Sequence, residues 1–372
     1  MKVLSLFNGM GCIWIALDRL GIKVEKRYIS EIDKYANIVN NHNYPDSIQL
    51  GDVTKVNGRD LPKIDLVVGG SPCQGFSFAG KGLNFEDPRS KLFFEFVRLV
   101  KECKPKYFLL ENVKMKKEHE LVISNYLGVA PIEINSSLVS AQSRKRLYWT
   151  NIYNKPFGLL GDMYCAIPQP EDKGILLKDI LQTDVSEKYF LKESQLDWWN
   201  KNKEFQLQKG YSSLDSEKGI TQTARQYASW NGNYVSYVAM RGRNPENPKS
   251  RESGLHTEQM LEERTDEKTN TLTSVQKDNL IFQLPHGTNK GGFVDNKGKC
   301  PSMTKSAWEH NNILNAIRHL TPVECCRLQT VPDSYFYDKD GKNIISDSQI
   351  YKCLGNGWTV DVIAHILSYM KF

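Results

Sequence analysis

The sequence lacks long hydrophobic runs, a leader-like start and paired cysteines. No apolar stretch approaches the roughly 20 residues of a membrane-spanning helix, and residues 1–9 form a strand-like run and a turn instead of a signal peptide. The eight cysteines include no C-x-x-C pair and no histidine partner at metal-ligand spacing, which argues against zinc and against a disulfide framework. We therefore expect a cytoplasmic protein with no membrane contact and no metal.

Neither composition nor charge is extreme. The 372 residues are 40% hydrophobic and 25% charged, as in ordinary globular proteins, and they suffice for one large domain and a smaller one. The formal net charge of +6 suits a polyanionic partner such as nucleic acid without requiring it.

Strand-like and helix-like segments alternate over the first 153 residues. This pattern predicts an α/β fold in which a mostly parallel sheet carries helices on both faces, and ligands bind at the carboxyl ends of such strands. The predicted helices cover residues 12–20 and 90–101. The predicted strands cover residues 3–7, 24–30, 48–50, 64–68, 107–110, 132–139 and 147–152.

The composition becomes more polar near residue 155 and stays so until about residue 313. We therefore expect three segments: a first domain over 1–154, a smaller, irregular, β-containing domain over 155–313, and a return to the first domain over 314–372. Apolar periodicity reappears in the last segment, and chain ends that lie close together make such an insertion easy to accommodate.

A cysteine stands in a glycine-rich turn directly after an apolar run. Residues 64–68 read as a buried strand, and the loop that follows places Cys73 behind Pro72. A thiolate presented there would be a strong nucleophile if a neighbouring cation lowered its pKa. The alternative is a small buried hydrophobic residue, as most free cysteines are.

Three successive predicted strands end in residues that suit a nucleoside. Gly9 and Gly11 follow the first strand, Glu31 ends the second and can accept ribose hydroxyls, and Asp52 ends the third and can accept an exocyclic amine. Each carboxylate taken singly is better explained as a helix cap or a solvated loop residue. Together the three ends favour a nucleoside site.

One carboxyl group and two arginines complete the set of candidate catalytic residues. Glu111 ends the fifth predicted strand on the same edge as Cys73, so a nucleophile and an acid can meet over one pocket. Arg144 and Arg146 point the same way if their segment is extended, and they can clamp a phosphate or a base carbonyl. A solvated basic edge is the alternative.

These residues resemble the ordered motifs of the DNA cytosine-5 methyltransferases, and the resemblance covers both ends of the chain. The similar segments are residues 7–11, Glu31, 51–53, 70–74, 111–113, 142–146, 318–334 and 354–357.

The resemblance implies a Rossmann-like, S-adenosyl-L-methionine-dependent methyltransferase domain and a target-recognition domain over 155–313, acting on double-stranded DNA. Cys73 is expected to attack C6 of a flipped-out cytosine while Glu111 protonates N3, Arg146 steadies the cytosine carbonyl and Arg144 the backbone nearby. The implied cofactor-binding residues are Phe7, Gly9, Met10, Gly11, Glu31, Ile32, Asp52, Val53, Pro72, Leu92, Asn356, Gly357 and Trp358. The candidate substrate-binding residues are Gln74, Ser77, Gln142, Arg241, Arg243, Asn289 and Lys290.

Two departures from the bacterial pattern resemble the animal de novo branch: Cys12 replaces a third glycine, and Trp358 replaces a small aliphatic residue. We interpret Cys12 and Cys353 as packing residues.

We expect a monomeric bacterial or phage enzyme, with or without a separate restriction endonuclease. The alternatives are a methyltransferase for transfer RNA and a catalytically inactive DNA-binding relative. A transfer-RNA enzyme of this family has Cys-Phe-Thr after the proline, whereas this chain has Cys73-Gln74-Gly75.

Overall fold

The computed structural model describes residues 1–71, 88–157, 162–182, 185–224, 226, 230–237, 240–243, 258–261, 282–283, 292–293 and 316–371. The chain divides into two compact units. Unit 1 comprises Met1–Leu181, Ser216–Gly232 and Pro322–Phe372, and unit 2 comprises Gln182–Asp215 and Asn233–Thr321. The polar region predicted over 155–313 therefore contributes segments to both units.

A seven-stranded sheet forms the centre of unit 1. Its strands are β1 (Lys2–Leu6), β2 (Lys26–Ser30), β3 (Ile48–Gln49), β4 (Leu66–Gly70), β5 (Tyr107–Val113), β6 (Ile132–Asn135) and β7 (Lys145–Thr150). The order is β3-β2-β1-β4-β5-β7-β6. Pairing is parallel from β3 to β5, whereas β7 runs antiparallel to both β5 and β6. The prediction of a mostly parallel sheet is confirmed.

The central strands are apolar because helices cover both faces of a parallel sheet. In β1, Val3, Leu4 and Leu6 are fully buried, and in β4 the run 66–68 is fully buried as well. The strand order reverses direction between β1 and β4, which creates a crevice at their carboxyl ends.

Eight α-helices occur in the described part of the chain, and α5 is the one that belongs to unit 2. They are α1 (Cys12–Arg19), α2 (Lys34–Asn43), α3 (Pro88–Cys103), α4 (Lys117–Leu127), α5 (Glu193–Gln208), α6 (Pro322–Leu328), α7 (Asp347–Asn356) and α8 (Val360–Leu367). The carboxyl-terminal helix α8 packs against α1, so the end of the chain lies beside its beginning. None of the helices in these described segments has the length and apolarity to cross a membrane.

Several predicted element bounds were wrong. Strand β5 continues to Val113, beyond the predicted end at residue 110, because β7 pairs with it along residues 109–113. Glu111 therefore lies within a strand. The predicted strand 132–139 ends at Asn135, whose side chain accepts a hydrogen bond from Ser137 N and starts a short 3-10 helix, Ser136–Leu138.

Unit 2 contains α5 and a small sheet in the order β10-β11-β16. These strands are β10 (Ser212–Leu214), β11 (Gly232–Tyr237) and β16 (Ala316–His319). Its core includes Trp199 of α5, whose ring centroid lies 4.3 Å from that of Tyr234. The remaining described strands form two-stranded antiparallel sheets: β8 (Asn154–Phe157) with β9 (Asp162–Cys165), β12 (Met240–Arg243) with β13 (Glu258–Leu261), and β14 (Phe282–Gln283) with β15 (Gly292–Phe293).

Candidate active site

A cavity of about 430 Å³ lies at the carboxyl ends of β1, β2, β4 and β5. This volume is typical of a small-molecule site. Most of the predicted cofactor residues that the structure describes line this one cavity: Phe7, Gly9, Met10, Glu31, Ile32, Asp52, Val53, Leu92 and Asn356. Glu111, Arg144 and Arg146 line it too. The cofactor candidates and the acid–base candidates thus share one space, although their roles stay predictions.

The turn after β1 needs glycine at a defined position. Gly11 has φ +89°, and a Cβ atom added there would lie 2.8 Å from Asn40 Oδ1 and 2.8 Å from Trp14 Cδ1. The indole N–H of Trp14 donates to Asn40 Oδ1 at 2.9 Å, and the side-chain amide of Asn8 donates to the same oxygen at 3.0 Å. This buried polar cluster fixes the turn, and the sequence analysis missed it.

Glu31 is oriented by three backbone N–H groups. Its Oε2 accepts from Gly9 N at 2.7 Å, and its Oε1 accepts from Ile32 N and Asp33 N, each at 2.8 Å. Its carboxylate therefore ties the turn after β1 to the end of β2 at the cavity wall. Asp33 and Lys352 of α7 also line the cavity, and the Asp33 carboxylate accepts a hydrogen bond from Lys352 at 2.6 Å.

Asp52 acts as a cap in addition to lining the cavity. Its Oδ1 accepts hydrogen bonds from the backbone N–H of Thr54 at 3.0 Å and from its hydroxyl at 2.9 Å. These bonds hold the pKa of the Asp52 carboxyl below its usual value, so the group is ionised at neutral pH. The alternative explanation of a capping residue is thus observed, and it is compatible with a contact to a ligand amine.

Both carboxylate oxygens of Glu111 have partners. Oε1 lies 3.0 Å from Nε of Arg146, and Oε2 accepts a hydrogen bond from the indole Nε1 of Trp358 at 3.2 Å. The Glu111 side chain is 12% exposed and that of Arg146 is 14% exposed, so water screens this ion pair poorly. The contact between Trp358 and Glu111 was not predicted, because sequence similarity placed Trp358 only against a cofactor.

The Arg144 side chain donates hydrogen bonds to backbone carbonyls of the protein. Its guanidinium, 3% exposed, donates to the carbonyls of Gln222 at 2.9 Å, Gly355 at 3.2 Å and Gly357 at 2.9 Å. These bonds hold the guanidinium against the protein backbone at the cavity wall, and a part for Arg144 in binding a phosphate or a base carbonyl stays a prediction. Burial, with the nearby charge of Arg146, lowers the pKa of Arg144 to about 9, which still leaves it charged at neutral pH.

Gly357 and Gln142 do not line the cavity. Gly357 is buried, and its carbonyl is one of the acceptors of Arg144. Gln142 is fully buried, and its Oε1 accepts a hydrogen bond from Gln222 N at 3.3 Å. Protein encloses its side-chain amide, and a contact of Gln142 with the substrate stays a prediction.

The predicted nucleophile loop lies outside the described residues, and so do several substrate candidates. Pro72, Cys73, Gln74, Ser77, Asn289 and Lys290 are in this group, whereas Arg241 and Arg243 are described only as backbone in β12. The residue that precedes the loop is anchored, since the Ser71 hydroxyl accepts a hydrogen bond from Asn112 Nδ2 at 3.2 Å. This anchor joins the start of the loop to β5 beside Glu111.

Burial suppresses the reactivity of the other cysteines near the cavity. It raises the pKa of Cys12 to about 11 and that of Cys353 to about 12. A thiol with so high a pKa is a poor nucleophile at neutral pH. This agrees with the interpretation of both as packing residues.

Comparison with known proteins identifies the family. A sequence profile of the C-5 cytosine-specific DNA methylases matches residues 1–371. The orphan methyltransferase M.SPRI of Bacillus phage SPR is 30% identical over 429 aligned residues, which cover 98% of this chain and 96% of that protein. The type II methyltransferase M.NlaX of Neisseria lactamica is 28% identical over 100% of this chain and 96% of its own length. Among solved structures, the Dnmt2 methyltransferase of S. pombe has a TM-score of 0.60 with 18% identity over the full length of both chains. That likeness shows the shared Rossmann-like methyltransferase fold.

Proposed function

This chain belongs to the C-5 cytosine-specific DNA methylases and transfers a methyl group to carbon 5 of cytosine in DNA. We propose that S-adenosylmethionine donates the methyl group and that a cytosine flipped out of duplex DNA accepts it. The observation that carries the proposal is the cavity at the carboxyl ends of β1, β2, β4 and β5. Residues suited to a nucleoside line it together with a carboxylate held between Arg146 and Trp358.

The cavity fits an adenosine-containing cofactor by its donors and acceptors. Gly9 and Gly51 have φ +55° and +73°, and no atom lies within 4 Å of where their Cβ atoms would stand, so a ligand can approach the backbone there. We assign Glu31 to the ribose hydroxyls and Asp52 to the adenine amine. When bound, the cofactor supplies the electrophilic methyl group that carbon 5 receives.

The proposed chemistry divides between Cys73 and Glu111. The Cys73 thiolate adds its electron pair to C6 of the cytosine, and Glu111 gives a proton to N3, which makes carbon 5 nucleophilic. After carbon 5 is methylated, water accepts the C5 proton, the electron pair of the C5–H bond forms the C5–C6 double bond and expels the Cys73 thiolate from C6, and N3 returns its proton to the Glu111 carboxylate. Arg146 steadies the cytosine carbonyl, and Arg144 acts as a positioning residue.

The region 155–313 is proposed to recognise the target sequence in double-stranded DNA. Major-groove edges are read by arginine, lysine, asparagine and glutamine, and Arg241, Arg243, Asn289 and Lys290 are the candidates. Exchanging this region for that of a family member with another specificity should move the methylated site without changing the chemistry. A folded chimera that still methylates the original sequence would refute this division.

We further propose that the enzyme acts as a monomer in the cytoplasm, where bacterial DNA lies, and needs no restriction endonuclease for catalysis.

Covalent trapping tests the proposed role of Cys73. The protein is incubated with S-adenosylmethionine and a random-sequence pool of duplexes carrying 5-fluorocytosine, whose fluorine cannot leave in place of the proton. We expect a denaturation-resistant protein–DNA adduct with the wild type and none with Cys73→Ser. Cys165→Ser is the matched control, since burial raises the pKa of Cys165 in β9, and it should trap DNA as the wild type does. An adduct of equal yield with Cys73→Ser would assign the nucleophile to another residue.

A further inference from the structure

The carboxylate of Glu111 is held from two parts of the chain that are far apart in sequence. Arg146, on β7, engages Oε1 at 3.0 Å, and Trp358, after α7, donates its indole N–H to Oε2 at 3.2 Å. The second contact joins a residue of the predicted cofactor segment to the proposed catalytic acid. Cofactor packing alone would not require an indole nitrogen at this point.

The segment that carries Trp358 is anchored on both sides of the tryptophan. On one side, the carbonyl of Gly357 accepts a hydrogen bond from Arg144 at 2.9 Å. On the other, the hydroxyl of Thr359 donates to Gln329 Oε1 and accepts from the hydroxyl of Ser136, each at 2.8 Å. Trp358 therefore starts from a fixed backbone, which limits the positions its indole can take.

Gly70 leaves the room that the contact needs. A Cβ atom at this last residue of β4 would lie 2.9 Å from the indole nitrogen of Trp358 and 3.0 Å from Oε2 of Glu111. Both distances are shorter than ordinary contacts to a Cβ atom. Any larger residue at position 70 would push the indole and the carboxylate apart.

We propose that Trp358 is a positioning residue for Glu111: its indole N–H orients the carboxylate toward the cytosine. This inference rests on the proposed role of Glu111 as the proton donor to N3. It assigns Trp358 a part in the methyl transfer beyond any contact with the cofactor.

Trp358→Phe tests the inference, because phenylalanine keeps an aromatic ring and loses the donor. We expect the single-turnover rate of methylation to fall about tenfold, the loss of one hydrogen bond to a charged group. The dissociation constant of S-adenosylmethionine, measured by calorimetry, should stay within about twofold of the wild-type value. Trp149→Phe is the matched control: it removes an indole N–H that donates to the Ser124 hydroxyl at 3.0 Å in the core, and it should leave the single-turnover rate unchanged.

Gly70→Ala disturbs the same hydrogen bond between Trp358 and Glu111, because its added methyl group would lie beside both side chains. It should reproduce the slower rate, and it keeps the inference testable if Trp358→Phe folds poorly. A normal wild type with an unchanged single-turnover rate in Trp358→Phe, or a change confined to cofactor affinity, would refute the inference alone. Full activity of Glu111→Gln would refute the role proposed for Glu111 and the inference with it.

Discussion

Arg144 offers a quantitative test of how the cavity wall is held. Replacing it with methionine removes the donors to three backbone carbonyls, and each buried carbonyl without a partner costs about 1–3 kcal/mol. The same change removes a buried charge. The fall of its pKa from 12.5 to about 9 corresponds to roughly 5 kcal/mol of unfavourable burial at about 1.36 kcal/mol per unit. The two effects largely cancel, so we expect Arg144→Met to lower the free energy of unfolding by no more than about 4 kcal/mol.

Lysine at this position should be worse than methionine. Arg144→Lys keeps the charge that is costly to bury and presents only one ammonium to the carbonyls. Urea unfolding, followed by tryptophan fluorescence and circular dichroism, measures both variants. Arg98→Met is the control, because Arg98 is about a third exposed and pairs with Glu95 and Glu102 on α3. A lysine variant clearly more stable than the methionine variant would refute the reasoning that burial of the charge opposes the hydrogen bonds.

Two further predictions concern other parts of the fold. Gly355→Ala should destabilise unit 1 by about 3 kcal/mol or more in urea unfolding, because its Cβ would lie 2.3–2.5 Å from the backbone of Thr223 and Ala224; a loss below about 1 kcal/mol would contradict this close packing. In unit 2, burial lowers the pKa of His319 from 6.5 to about 4, so the unfolded state binds more protons between these values and stability falls as the pH falls. We expect a loss of about 2 kcal/mol between pH 7.5 and 5 that His319→Phe removes, and an equal loss in that variant would assign the acid sensitivity to other groups.

The sequence predicts well which carboxylates line the cavity, and the reason is physical. Ligand-binding residues of an open α/β sheet follow its strands, so Glu31, Asp52 and Glu111 were found by locating strand ends. All three line the cavity. Their common location needs only the parallel topology, which the alternating apolar pattern already specifies.

Side-chain partners were harder to predict, because they depend on segments distant in sequence. Arg144 and Arg146 look equivalent in the sequence, yet one binds three carbonyls and the other pairs with Glu111. The difference arises where residues 222 and 355–357 return to the sheet, more than 70 positions away. Similarly, Trp358 meets Glu111 across 247 positions, and Gly70 was noted only as a loop residue, without the close approach it permits.

Bisulfite sequencing detects methylated cytosines in DNA that the protein has modified. Plasmid DNA is isolated from a methylation-deficient bacterial host that expresses the wild type, Cys73→Ser or an empty vector. We expect cytosines protected within one short recurring sequence in the wild-type sample, and no protection in the other two. An absence of protected cytosines with folded wild-type protein, or equal protection with Cys73→Ser, would contradict this expectation.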